Sequence, residues 1–248
     1  MSEKIAAIIH TRYESERLPG KCFLPLNNTP ALKIIVDRLR IPSIKEIILA
    51  VPYTPNYKIF ECFCKTNNLT FYMNKDINND DVIGRVTQCA IDNKVDIIID
   101  ISHDSVLITP LQIAVMLAEL VCGNYQFACN DTISRSWADG GDVNICRTEA
   151  LIDSDDLVTD PLLRHHTLYN VGVNPHINKY ILKAPEEYRH PNWRFTLDEL
   201  EDYELLTKIF NHFKRNDMSI EEVTKYVKNN QYLLEINKNV RVKDPSEG

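Results

Sequence analysis

The chain has 248 residues, of which 44% are hydrophobic and 25% charged, and its formal net charge is −7. That is ordinary globular composition, long enough to bury a sizeable core in one large domain or one domain with a subdomain. An acidic balance argues against nucleic acid as a partner, and no apolar run approaches the ~20 residues of a membrane span.

Lys4 is followed by only five apolar residues before His10, too short a run for a signal peptide, so a cytoplasmic protein is expected. The first apolar run, Ile5–Ile9, is uninterrupted and rich in β-branched residues, and it predicts a buried strand. The loop after it gathers Arg12, Arg17 and Lys21 within ten residues and ends Leu18-Pro19-Gly20-Lys21. Three cations at the end of a first strand read either as solvated surface or as an anion site, since ligands of open α/β sheets sit outside the carboxyl ends of the strands. The chain has no G-x-G-x-x-G, and Gly20-Lys21 lacks the first glycine of a P-loop.

A helix is predicted over Pro30–Leu39, where Leu32, Ile35, Val36 and Leu39 share one face. Glu46–Val51 reads as a second strand, Pro55–Asn67 as a helix and Leu69–Met73 as a third strand. A helix follows over Asp80–Asn93, then a fourth strand at Val95–Ile101. Thr109-Pro110 opens a helix that ends near Cys122, and Tyr125–Cys129 makes a fifth strand. Strands alternating with helices of this length predict βαβ units, a largely parallel sheet and helices on both faces.

The second half is less regular. Gly141–Cys146 has strand character, Asp153–His190 mixes turns with short apolar pieces, and helices return at Asp198–Phe213 and Ser219–Asn229. Ser219 and Glu222 form a capping box for the last of these. A single domain over 1–248 is expected, with an inserted substrate or dimerisation subdomain around 135–190.

Seven cysteines at irregular spacing form no disulfide or zinc framework and read as buried free thiols. Of the seven glycines, Gly20, Gly84, Gly140 and Gly141 fall in the candidate functional loops. Asp104, just past the fourth strand, suits a turn and equally a metal ligand, because Mg2+ takes one or two carboxylates together with phosphates and water. Asp198, with Glu201 three residues on, suits an acidic helix start. His10 and His103 flank these segments without a sequence partner, and His176, His190 and His212 read as surface residues.

The first loop, Arg12-x-x-Ser15-x-Arg17-Leu18-Pro19-Gly20-Lys21, resembles the opening motif of the sugar-activating cytidylyltransferases, which wraps the phosphates of CTP. Further likenesses follow in order: Asp80–Arg85, Asp104 to Pro110, Asp139–Leu151, Arg164–Asn170, Arg194 to Asp202, and the closing segment from Tyr232 to Lys243. The chain thus resembles the spore-coat polysaccharide branch, related to the 3-deoxy-manno-octulosonate and acylneuraminate cytidylyltransferases. The resemblance implies a nucleotide-diphospho-sugar transferase-like (Rossmann-like) α/β fold, a three-layer mixed sheet with a small dimerisation or substrate extension.

The same likeness implies transfer of CMP from CTP to a sugar or sugar acid, with release of pyrophosphate, and a homodimer. Arg12, Lys21, Asp104 and Asp198 would be catalytic, with Asp104 and Asp198 holding one or two Mg2+ ions. Arg12, Ser15, Arg17, Gly20, Lys21, Arg85 and Ser102 would bind the nucleotide, and His165 and Tyr169 the acceptor. Asp100, His103, Val106, Asn144 and Arg164 depart from the family pattern. A metal-dependent glycosyltransferase of similar fold and a non-catalytic nucleotide-binding relative are the alternative readings.

Overall fold

The amino-terminal apolar run folds as β1 (Ile5–His10) in the middle of a seven-stranded sheet. The structure, a computed structural model, describes residues 3–15, 17–130 and 133–241. After β1 come a 3-10 turn at Lys21–Phe23, a small antiparallel ribbon of β2 (Pro25–Leu26) and β3 (Thr29–Pro30), and α1 (Ala31–Arg38). β4 (Glu46–Val51), α2 (Tyr57–Asn67), β5 (Thr70–Met73), α3 (Val82–Asp92), β6 (Ile97–Ser102), α4 (Pro110–Cys122) and β7 (Phe127–Cys129) complete the regular half. The second half supplies β8 (Asn144–Arg147), α5 (Thr148–Leu157), α6 (Tyr169–Val173), β9 (Lys179–Ile181), α7 (Leu200–Phe213) and α8 (Ile220–Lys228).

The strand order is β5-β4-β1-β6-β8-β7-β9, with β8 antiparallel to both of its neighbours and the other pairings parallel. Side chains alternate across a strand, which divides the core in two. Ala7, Ile9, Ile47, Leu49, Ile97 and Ile99 pack with residues of α1, α4, α7 and α8. On the other face Ala6, Ile8, Ile48 and Ile98 pack with α3, α5 and Val171 of α6. Burial on both faces explains why these strands read as continuous apolar runs rather than alternating ones. From β1 the chain builds out to β4 and β5, then returns to place β6 on the other side of β1. The crevice at a topological switch of this kind, outside the strand ends, is where such sheets bind ligands. The loops following β1 and β6 both open there.

Several local expectations need correcting. Gly84 lies inside α3, not in a loop. Cys62 and Cys122 are exposed, while the other five thiols are buried. The strand expected over Gly141–Cys146 is β8 (Asn144–Arg147), and it runs antiparallel to both β6 and β7. α5 and β9 arise inside the stretch that looked irregular, each too short for its periodicity to stand out. His190 is half-buried, stacked on Trp193 with ring centroids 3.8 Å apart, whereas His176 and His212 are exposed. Of the closing motif, residues 242 and 243 lie outside the described residues, as does Glu16 in the first loop. No helix among the described residues is long and apolar enough to cross a membrane.

Candidate active site

Two turns bring distant carboxylates to one point. Asp104 follows β6, and its carbonyl accepts the Leu197 N–H at 3.1 Å, which pins the segment carrying Asp198 beside it. Between the two carboxylates lies the ammonium of Lys21, 2.6 Å from Asp198 Oδ1 and 3.4 Å from Asp104 Oδ2. Lys21 is buried, and burial alone would lower its pKa, but Asp104 and Asp198 outweigh that and hold it above the ordinary value. For Asp104, burial opposes ionisation and Lys21 overcomes it, with help from His103, so its carboxyl sits below the usual range. Gly20 shapes the approach of the loop: its φ of +68° is left-handed, and a Cβ there would meet the Tyr13 ring at 3.2 Å.

Asp198 is held from the other side as well. Arg17 lies 3.4 Å from it and 3.2 Å from Glu199. Arg194 donates to Asp198 Oδ2 at 2.9 Å and, through two nitrogens, to the fully buried Asp202. Asp202 also accepts the backbone N–H groups of Asp198 and Glu199 and the amide of Asn237. The helix start expected at Asp198 is therefore corrected by one position: Glu199 is the N-cap of α7, Asp202 closes its capping box, and Asp198 is left free of the helix to face Lys21.

Beside these carboxylates opens a cleft of about 590 Å³. His10, Asp100 and Ser102 line it from the sheet, and His165, His166 and Tyr169 form the opposite wall. The third side carries Arg135, Asp139, Asp142 and Arg194. Arg135 pairs with Asp142 at 2.8 Å and Asp139 at 3.4 Å. Burial, reinforced by the neighbouring Asp142, pushes the Asp139 carboxyl up to about 8. Gly140 makes this side possible, because its φ is +105° and a Cβ would collide with the Phe195 backbone at 2.3 Å. Hydrogen bonds from Asp139 N to Trp193 O and from Phe195 N to Asp139 O lock the two segments together.

The residues expected from the sequence thus separate into two groups. Arg17, Ser102, Asp104, His165, Tyr169 and Asp198 line the cleft, with Lys21 bridging its two central carboxylates. Arg12, Ser15 and Arg85 do not line it. Arg12 is exposed, 3.6 Å from Asp80; the Ser15 hydroxyl accepts the Leu18 N–H. Arg85 is buried at the start of α3, donates to Asn79 O, and is lowered to about 10 by that burial. Its charge depresses His10, which burial and His103 already hold down to about 3, so Arg85 adjoins the cleft from beneath.

Arg164, one of the departures, explains itself: it pairs with Asp81 at 2.9 Å and Asp155, tying the wall that carries His165 to α3. Asp139 and Asp202 fall within the family motifs, but no role in the site was expected for either. The Asp-Gly pair at 139–140 marks a turn but gives no sign of which strand end it meets. No group of three or more metal-binding side chains forms among the described residues. Asp104 and Asp198, converging on one cationic atom, nonetheless fit a divalent ion that completes its shell with phosphate oxygens and water.

The cytidylyltransferase family model matches residues 6–238. The spore coat polysaccharide biosynthesis protein SpsF of Bacillus subtilis is 26% identical over 235 residues, covering 88% of this chain and 92% of that protein. A cytidylyltransferase from Leptospira borgpetersenii superposes with a TM-score of 0.85 at 23% identity, over 98% of this chain and 100% of the other. A CMP:2-keto-3-deoxy-manno-octonic acid synthetase, solved as a complex with CTP, superposes with a TM-score of 0.61 at 16% identity, over 85% of this chain and 100% of that one.

Proposed function

The chain belongs to the cytidylyltransferase family, and from that membership we propose that it transfers CMP from CTP to a hydroxyl of a sugar or sugar acid, supplying an activated sugar for a surface glycan. The observation that carries this reading is the Lys21 ammonium held between Asp104 and Asp198, because it places a cation and two potential metal ligands at one point beside a cleft large enough for a sugar. In the reaction an acceptor oxygen bonds to the α-phosphorus, the bond from that phosphorus to the bridging oxygen breaks, pyrophosphate leaves, and the hydroxyl proton passes to solvent.

Arg12, Arg17 and Lys21 neutralise the triphosphate, with Ser15, Gly20, Arg85 and Ser102 shaping the nucleotide site. Asp104 and Asp198 would hold Mg2+. Bound there, the ion would supply charge neutralisation for the phosphates and lower the pKa of the attacking hydroxyl. Lys21 and the Asp202–Arg194 pair fix both carboxylates before substrate arrives, so little reorganisation is left for the reaction itself. His165 and Tyr169 face the acceptor. The sugar is suggested by the cleft and by the polysaccharide role in the name of the Bacillus relative.

A thermal-shift screen of the four ribonucleoside triphosphates with Mg2+ tests the reading: stabilisation is expected with CTP and not with ATP, GTP or UTP. Equal shifts with all four, or none with CTP, would remove it.

A further inference from the structure

Asp100 differs from every other carboxylate in the cleft. Asp104 and Asp198 share Lys21, and Asp139 and Asp142 share Arg135. Asp100 contacts no arginine or lysine among the described residues. It is only 5% exposed, and its Oδ1 makes no hydrogen bond. The nearest basic atom is His10 Nε2 at 3.6 Å, beyond hydrogen-bond range, on a ring that burial keeps neutral. The buried Thr167 hydroxyl faces this carboxyl and partly offsets its burial, without completing a hydrogen bond to Oδ1.

The position is costly for the fold. Asp100 follows Ile98 on the sheet face packed by α3 and α5, opposite Ile8 of β1 and Asn144 of β8. A carboxyl there interrupts an apolar row and leaves Oδ1 without a hydrogen bond, a combination that destabilises a protein unless something else compensates it. The cleft wall is where that compensation can come from, because Asp100 lines it.

The chemistry of the missing partner follows from the charges around it. The guanidinium of Arg135 is engaged by Asp139 and Asp142, and that of Arg194 by Asp202 and Asp198. A carboxylate on the acceptor would enter beside Asp100 and find these cations already paired. Burial lets Asp100 keep its proton, and a hydroxyl would satisfy a lone pair without drawing the carboxyl into its charged form. A protonated amine supplies both a donor and the opposite charge, in a charge-assisted bond. We propose that Asp100 is a specificity-determining residue that receives a protonated amine of the acceptor, so that the substrate is an amino-substituted sugar rather than a sugar acid. This rests on the cytidylyl-transfer reading and narrows it.

The test uses the full chain with a hydrolysis-resistant CTP analogue and Mg2+. Calorimetry compares D-glucose, D-glucuronate and the aminodeoxy-D-glucose isomers with the amine moved from carbon to carbon. At least one amino isomer is expected to bind about tenfold or more tighter than glucose, with glucuronate the weakest. In the near-isosteric Asp100→Asn protein that advantage should collapse to within about twofold. Melting temperatures of Asp100→Asn and Asp100→Ala, read alongside, show that the variants fold. Tightest binding by glucuronate, no isomer better than glucose, or an amine preference that survives Asp100→Asn overturns the assignment. Failure of the wild-type protein to bind the CTP analogue at all would instead bring down the transfer reading, and this assignment with it.

Discussion

Lys21 keeps its charge in a place where burial works against it, and the two carboxylates that make this possible are the ones proposed to meet the metal. Their functional and structural roles can be separated by substitution. Asp104→Asn and Asp198→Asn each leave Lys21 with one carboxylate partner, so the folded state should survive with a melting temperature within a few degrees of wild type. Pyrophosphate release from CTP should nevertheless fall by about a hundredfold or more, the order seen when one preorganised electrostatic contact is removed. Near-normal turnover in both would take these residues out of the reaction. Lys21→Met should behave differently. It takes the cation from half-buried Asp104, while Asp198 keeps Arg17 and Arg194, and stripping one partner from a buried ion pair costs up to about 3–5 kcal/mol. Urea unfolding should register that loss even without substrate.

Among the elements, the start of α7 links the fold to the site. Asp202 caps the helix, fixes the backbone at Asp198 and Glu199, and neutralises Arg194, which in turn holds Asp198. The same carboxylate anchors Asn237 of the closing segment. Asp202→Ala should therefore cost about 3–5 kcal/mol in chemical denaturation, chiefly because Arg194 is left buried with its main partner gone. A helix cap alone would cost about 1 kcal/mol, the size expected for Ser219→Ala at α8. A loss in Asp202→Ala no larger than that of Ser219→Ala would mean that the network beyond the cap contributes little. Gly140→Ala tests the neighbouring segment: a residue forced to positive φ against the Phe195 backbone should lose at least ~1–3 kcal/mol and disturb Asp139 and Arg194 together.

For the molecule as a whole, buried ionisable groups under the cleft set opposing pH dependences. Burial holds His10 near 3 and His103 near 4, against an ordinary 6.5. The unfolded chain binds the extra protons first, so this contribution is complete above pH 6.5 and is lost as pH falls toward 4. Asp100 has the opposite sign. Burial raises it to about 8 from 3.8, so the folded state holds the proton longer, and stability declines as pH rises from about 4 to about 8. Melting temperatures measured from pH 4 to 9 should fall steeply on the acid side. Asp139, also raised to about 8, adds to the same decline, so Asp100→Asn should lessen it without abolishing it, gaining most near pH 8 and nothing near pH 4. A variant less stable than wild type at pH 8 would show that the Asp100 carboxyl supports the fold instead of burdening it.

The sequence by itself determined the alternation of strands and helices, because the strands are short runs dominated by apolar residues and their helices carry a clear apolar face. It also marked the two acidic residues and the cationic loop, through short motifs whose order matches the family. Only the tertiary structure decided what those residues touch. Asp198 could be read as part of a helix until Glu199 proved to be the cap, since a capping preference is shared by neighbouring acids and one residue of register chooses between them. Asp139, Asp202 and Asn237 fall within the family motifs, but what each holds in place shows only once Asp139 meets Phe195 and Asn237 meets Asp202 across the fold. The isolation of Asp100 is likewise invisible in one dimension: a carboxylate lacks a partner only with respect to everything folded around it.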